Sequence, residues 1–264
     1  MVLLLLSACH ASPTDFTITL GGDIMLARAG TPIFWLNGQQ VDPWRELVEG
    51  GTLINESQVP PDYFMANLES PMGSPALGPM DYNLCAPLSE IRLLQSAGID
   101  LVSLANNHSA DCSCGGVNET ARQLEMAGIA YVDTDLSPAW LDTAAGRLAV
   151  IAAQDVIGKL DEAQLLQAVR QASAVSDYLI VSMHWGNEYQ AGPDERQQRL
   201  AKALADAGAD LIWGHHPHVL QKMEWLPTAD GRQVLVIYSL GNLLSDQWML
   251  EDTRQTVLLR LSYA

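Results

Sequence analysis

Positive charge is scarce in this chain of 264 residues. Lysine occurs only at Lys159, Lys202 and Lys222, and Lys and Arg together number 14 against 31 Asp and Glu. The formal charge of −17 repels phosphate backbones and anionic lipid, which excludes nucleic acid as a partner and electrostatic docking on a membrane. An acidic protein can still handle an anionic polymer when a bound metal supplies local positive charge. No apolar run approaches the ~20 residues that a membrane-spanning helix needs. Internal repeats and low-complexity tracts are absent, and the composition excludes disorder, collagen and coiled coil. What is present is a large apolar fraction, 48%, with only 17% charged residues. Such a chain can bury a large core within a single α/β domain.

Cysteine is sparse too, with four residues: Cys9, Cys85, Cys112 and Cys114. The start, Met1-Val2-Leu3-Leu4-Leu5-Leu6-Ser7-Ala8-Cys9, looks like the end of a bacterial lipoprotein signal. Cys9 is then the lipidation candidate, residues 1–15 are signal and tether, and residues 16–264 form one domain. The basic segment of such signals is missing, so the start reads as lying inside a longer signal. The expected location is outside the cytoplasm, at the cell surface, with membrane contact only through a lipid anchor. Cys112 and Cys114 are too close in sequence to pair easily with each other. Cys85 can pair with either, which an oxidising compartment favours. The Cys-x-Cys near His108 also suggests a metal thiolate, but no second Cys pair completes four ligands.

Strands and helices alternate along the chain. Phe16–Leu20, Tyr63–Asn67, Leu101–Leu104, Arg147–Ala153, Tyr178–Met183 and Asp210–Trp213 read as strands, being short apolar or β-branched runs. Ser89–Ala97, Val117–Ala127, Asp161–Ala174 and Asp194–Ala207 read as helices, three of them followed by Gly98, Gly128 or Gly208. A further short helix is expected around Trp44–Val48. The Pro- and Gly-rich stretch 70–87 reads as a long loop. Val219–Trp225, Gln233–Ser239 and Thr256–Tyr263 read as closing strands that pair as neighbours. The alternation implies a largely parallel sheet with helices outside, and the late strands imply a second, mixed sheet. The expected fold is an α/β four-layer α/β/β/α sandwich.

In α/β sheets function collects where strand C-termini enter loops. Gly-Gly-Asp23 follows the first strand, Asn67-Leu68-Glu69 ends the second, and Asn106-Asn107-His108 follows the third. Later strands deliver His184 and then His215-His216-Pro217-His218. Each residue alone has a bland reading as turn former, cap or buried histidine. Five of the six histidines nevertheless follow strands in this way. Carboxylate, amide oxygen and imidazole together suit a divalent ion such as Mn, Fe or Zn, either one or two of them.

The ordered motifs Gly22-Asp23-Ile24-Met25, Asn67-Leu68-Glu69-Ser70-Pro71, Asn106-Asn107-His108, His184-Trp185-Gly186, Gly214-His215-His216-Pro217-His218 and Ser239-Leu240-Gly241-Asn242 carry a resemblance. From about Phe16 to Gln247 the sequence resembles the CapA family of bacterial capsule-synthesis proteins, associated with poly-γ-glutamate. That family is similar to calcineurin-type metallophosphoesterases, which implies their sandwich fold. The resemblance implies metal ligation by Asp23, Glu69 (bridging), Asn107, His184, His216 and His218, with His108 as catalytic acid. Asn67, Asn106 and His215 are the expected substrate-binding neighbours. Where the phosphoesterases carry the histidine of a D-x-H motif, this chain has Met25, a poor donor for a hard ion. The implied function is poly-γ-glutamate or capsule biosynthesis. It would be exercised as a metal-dependent hydrolase of a phosphoester or polymer amide, or as a non-catalytic assembly or export factor. The implied partners are the anionic polymer or a membrane capsule synthetase. A secreted phosphodiesterase with no capsule role is a third reading.

Overall fold

The computed structural model describes residues 2–6, 15–27, 34–36, 39–41, 61–74, 83–113, 115–247 and 250–263. The short helix expected at Trp44–Val48, together with Cys9 and Cys114, lies outside the described residues. In chain order the elements begin β1 Val2–Leu6, β2 Phe16–Ile24, the small ribbon β3 Phe34–Leu36 and β4 Gln39–Val41, and β5 Tyr63–Leu68. They continue α1 Ile91–Ser96, β6 Leu101–Ser103, α2 Gly116–Ala127, β7 Ala130–Val132, β8 Ala139–Thr143 and β9 Gly146–Gln154. Then come α3 Glu162–Ser173, β10 Tyr178–His184, α4 Glu195–Ala207, β11 Leu211–His215, β12 Met223–Pro227, β13 Gln233–Ile237, β14 Asn242–Leu244 and β15 Val257–Tyr263.

Two sheets face each other. One has the order β1-β15-β2-β5-β6-β7 with β14 also on β2, and the other β12-β13-β11-β10-β9-β8. Strand parity sorts the core into three layers. On β9, Leu148, Val150 and Ala152 point between the sheets, while Ala149, Ile151 and Ala153 point out beneath α3 and α4. Ile18, Leu20 and Met65 meet them from the first sheet. On that sheet's far side Phe64, Ala66 and Val102 pack with Leu94 of α1 and Leu124 of α2. The result is the four-layer α/β/β/α sandwich, and full burial of each large aliphatic side chain contributes ~1.5–3 kcal/mol.

The helices start and stop for local reasons. Asp161 caps α3 by accepting from Gln164 N, and Asp194 forms a capping box with Gln197 at α4. Both α2 and α4 end on a left-handed glycine, Gly128 and Gly208. The closing strands differ from the sequence expectation. β12 and β13 are antiparallel neighbours in the second sheet, but β15 returns to the first sheet, antiparallel to β2 and parallel to β1. Val2–Leu6, the apolar run at the start, is the β1 of that parallel pair.

β2 changes partner halfway. Its Phe16–Leu20 half pairs with β15, and its Asp23–Ile24 end pairs with β14. Against β5, Leu20 faces Met65 but Asp23 faces Asn67, so β2 carries one extra residue. This β-bulge inverts the parity of the strand. Without it Asp23 would share a face with Thr19. With it Asp23 shares the inward face with Leu20. Gly22 is required at the bulge, because a Cβ there would stand 1.9 Å from the Gly241 carbonyl oxygen.

Candidate metal centre

The inward faces of β2, β5, β10 and β11 bring their last polar residues together at one edge of the sandwich. Parity places His184 two residues beyond Ser182 on the inward face of β10, and His215 two beyond Trp213 on β11. The Trp213 and His215 rings meet edge to face at 4.4 Å between centroids. Glu69 follows β5, its backbone N–H donating to the Ile24 carbonyl at 3.0 Å. Asp23, Glu69, His184, His215, His216 and His218 are all buried.

Glu69 lies at the middle. Its Oε1 is 3.6 Å from His218 Nε2, 3.8 Å from His184 Nε2 and 3.9 Å from His108 Nε2. Asp23 Oδ2 lies 3.3 Å from His218 Nδ1 and accepts the His216 backbone N–H at 3.2 Å. The His184 and His216 ring centroids are 4.8 Å apart. Asn107 Oδ1 and His184 Nε2 are 2.7 Å apart. Asp23, Glu69, Asn107, His184, His216 and His218 therefore converge.

The three residues expected to touch substrate lie behind that group. Asn67 Nδ2 donates to Asp23 Oδ1 at 2.7 Å and to Asn106 Oδ1 at 2.8 Å, and Asn106 Nδ2 donates to the Leu68 carbonyl at 2.8 Å. His215 Nδ1 sits 3.7 Å from Asp23 Oδ1 in full burial. The side-chain amides of Asn67 and Asn106 bond to the protein, where they orient Asp23 and tie the strand ends together, whereas neither ring nitrogen of His215 has a hydrogen-bond partner among the described residues.

His108 occupies the open side, with 20% of its side chain exposed. Its Nδ1 is 2.8 Å from Asp111 Oδ2, so the ring's Nε2 faces Glu69. Asp111 Oδ2 also accepts the Leu84 N–H at 2.6 Å, and Asn83 Nδ2 donates to the Asp111 carbonyl at 2.7 Å. The neighbouring Cys85 and Cys112 form a disulfide with a Cα separation of 5.0 Å, which resolves the two pairings open in the sequence. Met25 is packed in the outer core, 2% exposed, and Ser245 Oγ donates to its sulfur at 3.2 Å.

Two features depart from ordinary protein chemistry. His216 and His218 hold left-handed backbone with φ of +93° and +58°. Such conformations cost non-glycine residues ~1–3 kcal/mol and cluster at functional sites. Burial lowers the His215 and His216 rings to about 4, His218 adding to the effect at His216. Burial and His216 likewise push His184 well below the ordinary imidazole value. Burial also opposes a charge on His218, yet Glu69 and Asp23 together raise it to about 9. Burial disfavours ionised Asp23, but its bond to His218 and the neighbouring rings hold it below the usual carboxylate range.

The donor set fits a divalent ion. Three groups each place one donor atom per residue within 4.8 Å of the others: Glu69 with His184 and His216, Asp23 with Glu69 and His218, and Glu188 with His216 and His218. His216 Nδ1 is buried with no hydrogen-bond partner, as a nitrogen lone pair meant for an ion would be. Neutral imidazole and carboxylate are the ligand forms such an ion takes. Two residues here escaped the sequence reading. Glu188 stands four residues past His184 and Asp111 three past His108, both beyond the ends of the motifs His184-Trp185-Gly186 and Asn106-Asn107-His108.

Paired sheets, flanking helices and a carboxylate–amide–imidazole cluster at the strand ends define a metallophosphoesterase-like fold. Solved structures share it. A hypothetical protein from Thermus thermophilus superposes with a TM-score of 0.56 at 18% identity, covering 88% of this chain and 79% of that one. A phosphatase from Mycoplasma pneumoniae gives 0.53 at 13% identity, covering 86% and 72%. At such identities the likeness is one of fold alone.

The family described as bacterial capsule synthesis protein PGA_cap matches residues 17–152 and 131–247, and the chain belongs to it. The capsule biosynthesis protein CapA of Bacillus anthracis is 30% identical over 271 residues, covering 90% of this chain and 62% of that protein. The PGA biosynthesis protein CapA of Bacillus subtilis (strain 168) is 30% identical over 209 residues, covering 70% and 54%. The chain thus spans a little over half the length of these relatives.

Proposed function

We propose that this protein is a metal-dependent hydrolase of poly-γ-glutamate or capsule biosynthesis, acting on a phosphoester or on an amide of the polymer. The observation that carries the hydrolase is the pairing of a candidate ligand cluster with an imidazole that is outside it. Asp23, Glu69, Asn107, His184, His216 and His218 would hold the ion, with Glu69 central. A divalent ion in such a site polarises the scissile group and lowers the pKa of water.

The chain's own residues do the rest. Asp111 accepts from His108 Nδ1–H and so turns Nε2 toward the site. From there His108, when its ring carries a second proton on Nε2, gives that proton to the leaving group as the bond breaks and keeps the Nδ1 proton hydrogen-bonded to Asp111. Asn67 and Asn106 hold Asp23 in place, and the buried face of β2 and β10 keeps water from reaching the centre from behind. The acidic surface, −17 overall, would repel a polyanion everywhere except at the cationic centre.

The capsule role rests on the family and on the names of its relatives. The expected location is extracytoplasmic, with a lipid anchor at Cys9. Cleavage before Cys9 would remove β1 and leave β15 paired with β2. Among the described residues no helix is long and apolar enough to cross a membrane. A second reading, a non-catalytic factor that binds the polymer or a membrane synthetase, is favoured by Met25, which gives the ion one donor fewer. The test is metal analysis of the purified protein joined to a hydrolysis screen of phosphodiesters and γ-glutamyl polymer. Turnover that follows metal content supports the hydrolase. Bound metal without turnover on any substrate, together with full capsule complementation by His108→Ala, refutes it in favour of the scaffold.

A further inference from the structure

We propose that Glu188 is a metal ligand of this centre, closing its solvent side and standing in for the donor that Met25 does not supply. The inference rests on reading the cluster as a metal centre. Its geometry comes from two loops fastened to each other. Past His184, the Trp185 N–H donates to the His215 carbonyl at 3.1 Å, and the Tyr189 N–H donates to the Pro217 carbonyl at 2.9 Å. The Trp185 indole is buried and donates to the Tyr238 carbonyl at 3.1 Å, which fixes the loop's root. Gly186 and Tyr189 turn the chain through left-handed φ of +82° and +62°.

Glu188 is thereby held against the H-x-H segment. One of its oxygens and one nitrogen from each of His216 and His218 lie within 4.8 Å of one another. Glu188 is exposed, whereas Asp23 and Glu69 are fully buried, so it approaches from the side the others leave open. A second observation points to an ion there. His216 is 4% exposed, and its Nδ1 has no hydrogen-bond partner. A hydrogen bond is the usual fate of a buried nitrogen, and an ion is the other. The thioether of Met25 is packed in the outer core, so the compensating donor must come from another element. Glu188 is an anionic oxygen donor, which suits a hard ion such as Mn2+ better than a thioether.

The test uses the full chain after metal removal by chelation. Mn2+ binding is measured by calorimetry and Co2+ binding by visible absorption, for wild type, Glu188→Gln, Glu188→Asp and His184→Ala. Loss of groups that only orient ligands already costs 10–100-fold in affinity. Glu188→Gln should therefore weaken Mn2+ binding by about 100-fold or more, with Glu188→Asp between it and wild type. At saturating Co2+, the ligand-field bands of Glu188→Gln should differ from wild type, because the ligand set has changed. Bands identical at saturation would mean that Glu188 acts through space and would overturn the proposal, as would unchanged Mn2+ affinity. If His184→Ala loses metal while Glu188→Gln matches wild type, the centre stands and this inference alone falls. If wild type binds neither ion, the metal centre itself is refuted and Glu188 with it.

Discussion

Removing the Cys85–Cys112 bridge should lower stability by a calculable amount without disturbing the metal centre. The cysteines are 27 residues apart in sequence, and all of the chain between them is described. In the chain-entropy account, opening a loop of that length returns about 3.5 kcal/mol of freedom to the unfolded state. Per-residue unfolding entropies give a chain of this size roughly 0.55 kcal/mol per kelvin at its midpoint. The Cys85→Ser/Cys112→Ser protein should thus melt about 6 °C lower. Within the folded state the loop stays in register, because Leu84 N–H and Asn83 Nδ2 still bond to Asp111. Metal content should accordingly match wild type. The assay is calorimetry or circular dichroism melting of wild type, of the double variant, and of wild type with a thiol reductant. A fall of less than ~2 °C in both the variant and the reduced protein would refute the reasoning. So would a metal-free variant, since that would make the bridge a prop of the site.

His108→Ala should retain metal and fold while losing ~10²–10⁴ in turnover, the usual worth of general acid–base catalysis, whereas His216→Ala should lose metal. Equal loss of metal from both would make His108 a ligand. Binding of an ion to the folded protein alone should raise the melting point. At a free concentration one hundred times the dissociation constant the gain is ~2.7 kcal/mol, about 5 °C here. A melting point indifferent to chelator and to added Mn2+ would count against the centre.

Most of the sandwich was legible because its central strands are dense apolar runs and its helices carry their own stop signals. Asp161, Asp194, Gly128 and Gly208 bound helices in the structure where the sequence placed them. Among the short strands β6 was legible as an apolar run before a polar loop, but others were not. β7 and β14 have three residues each, too few for a period-2 pattern to show, and β8 is half exposed along its length. The partner of β15 is not its neighbour in sequence, β13 or β14, but β2. Pairing with β2 is a contact between the two ends of the described chain, which local pattern cannot encode. In the cluster, side-chain type and position after a strand pointed to Asp23, Glu69 and the histidines. Direction was another matter. Only the bulge at Gly21-Gly22 turns Asp23 inward, and only the finished network shows Asn67 and Asn106 facing protein. Glu188 lies beyond its strand in a loop whose course depends on bonds to the 215–218 segment, so its nearness to His216 is a tertiary fact.

The left-handed backbone at His216 sets the protein's durability against its chemistry at a single position. Glycine would adopt φ of +93° without strain and would keep the N–H that Asp23 accepts, while discarding a buried nitrogen that has no partner. A library randomised at position 216 and challenged by heat in the presence of chelator should therefore drift toward glycine. The same challenge with Mn2+ present should hold histidine, because the ion restores what the backbone loses. Laboratory evolution toward thermal robustness would thus erode this centre unless the metal is kept in the selection.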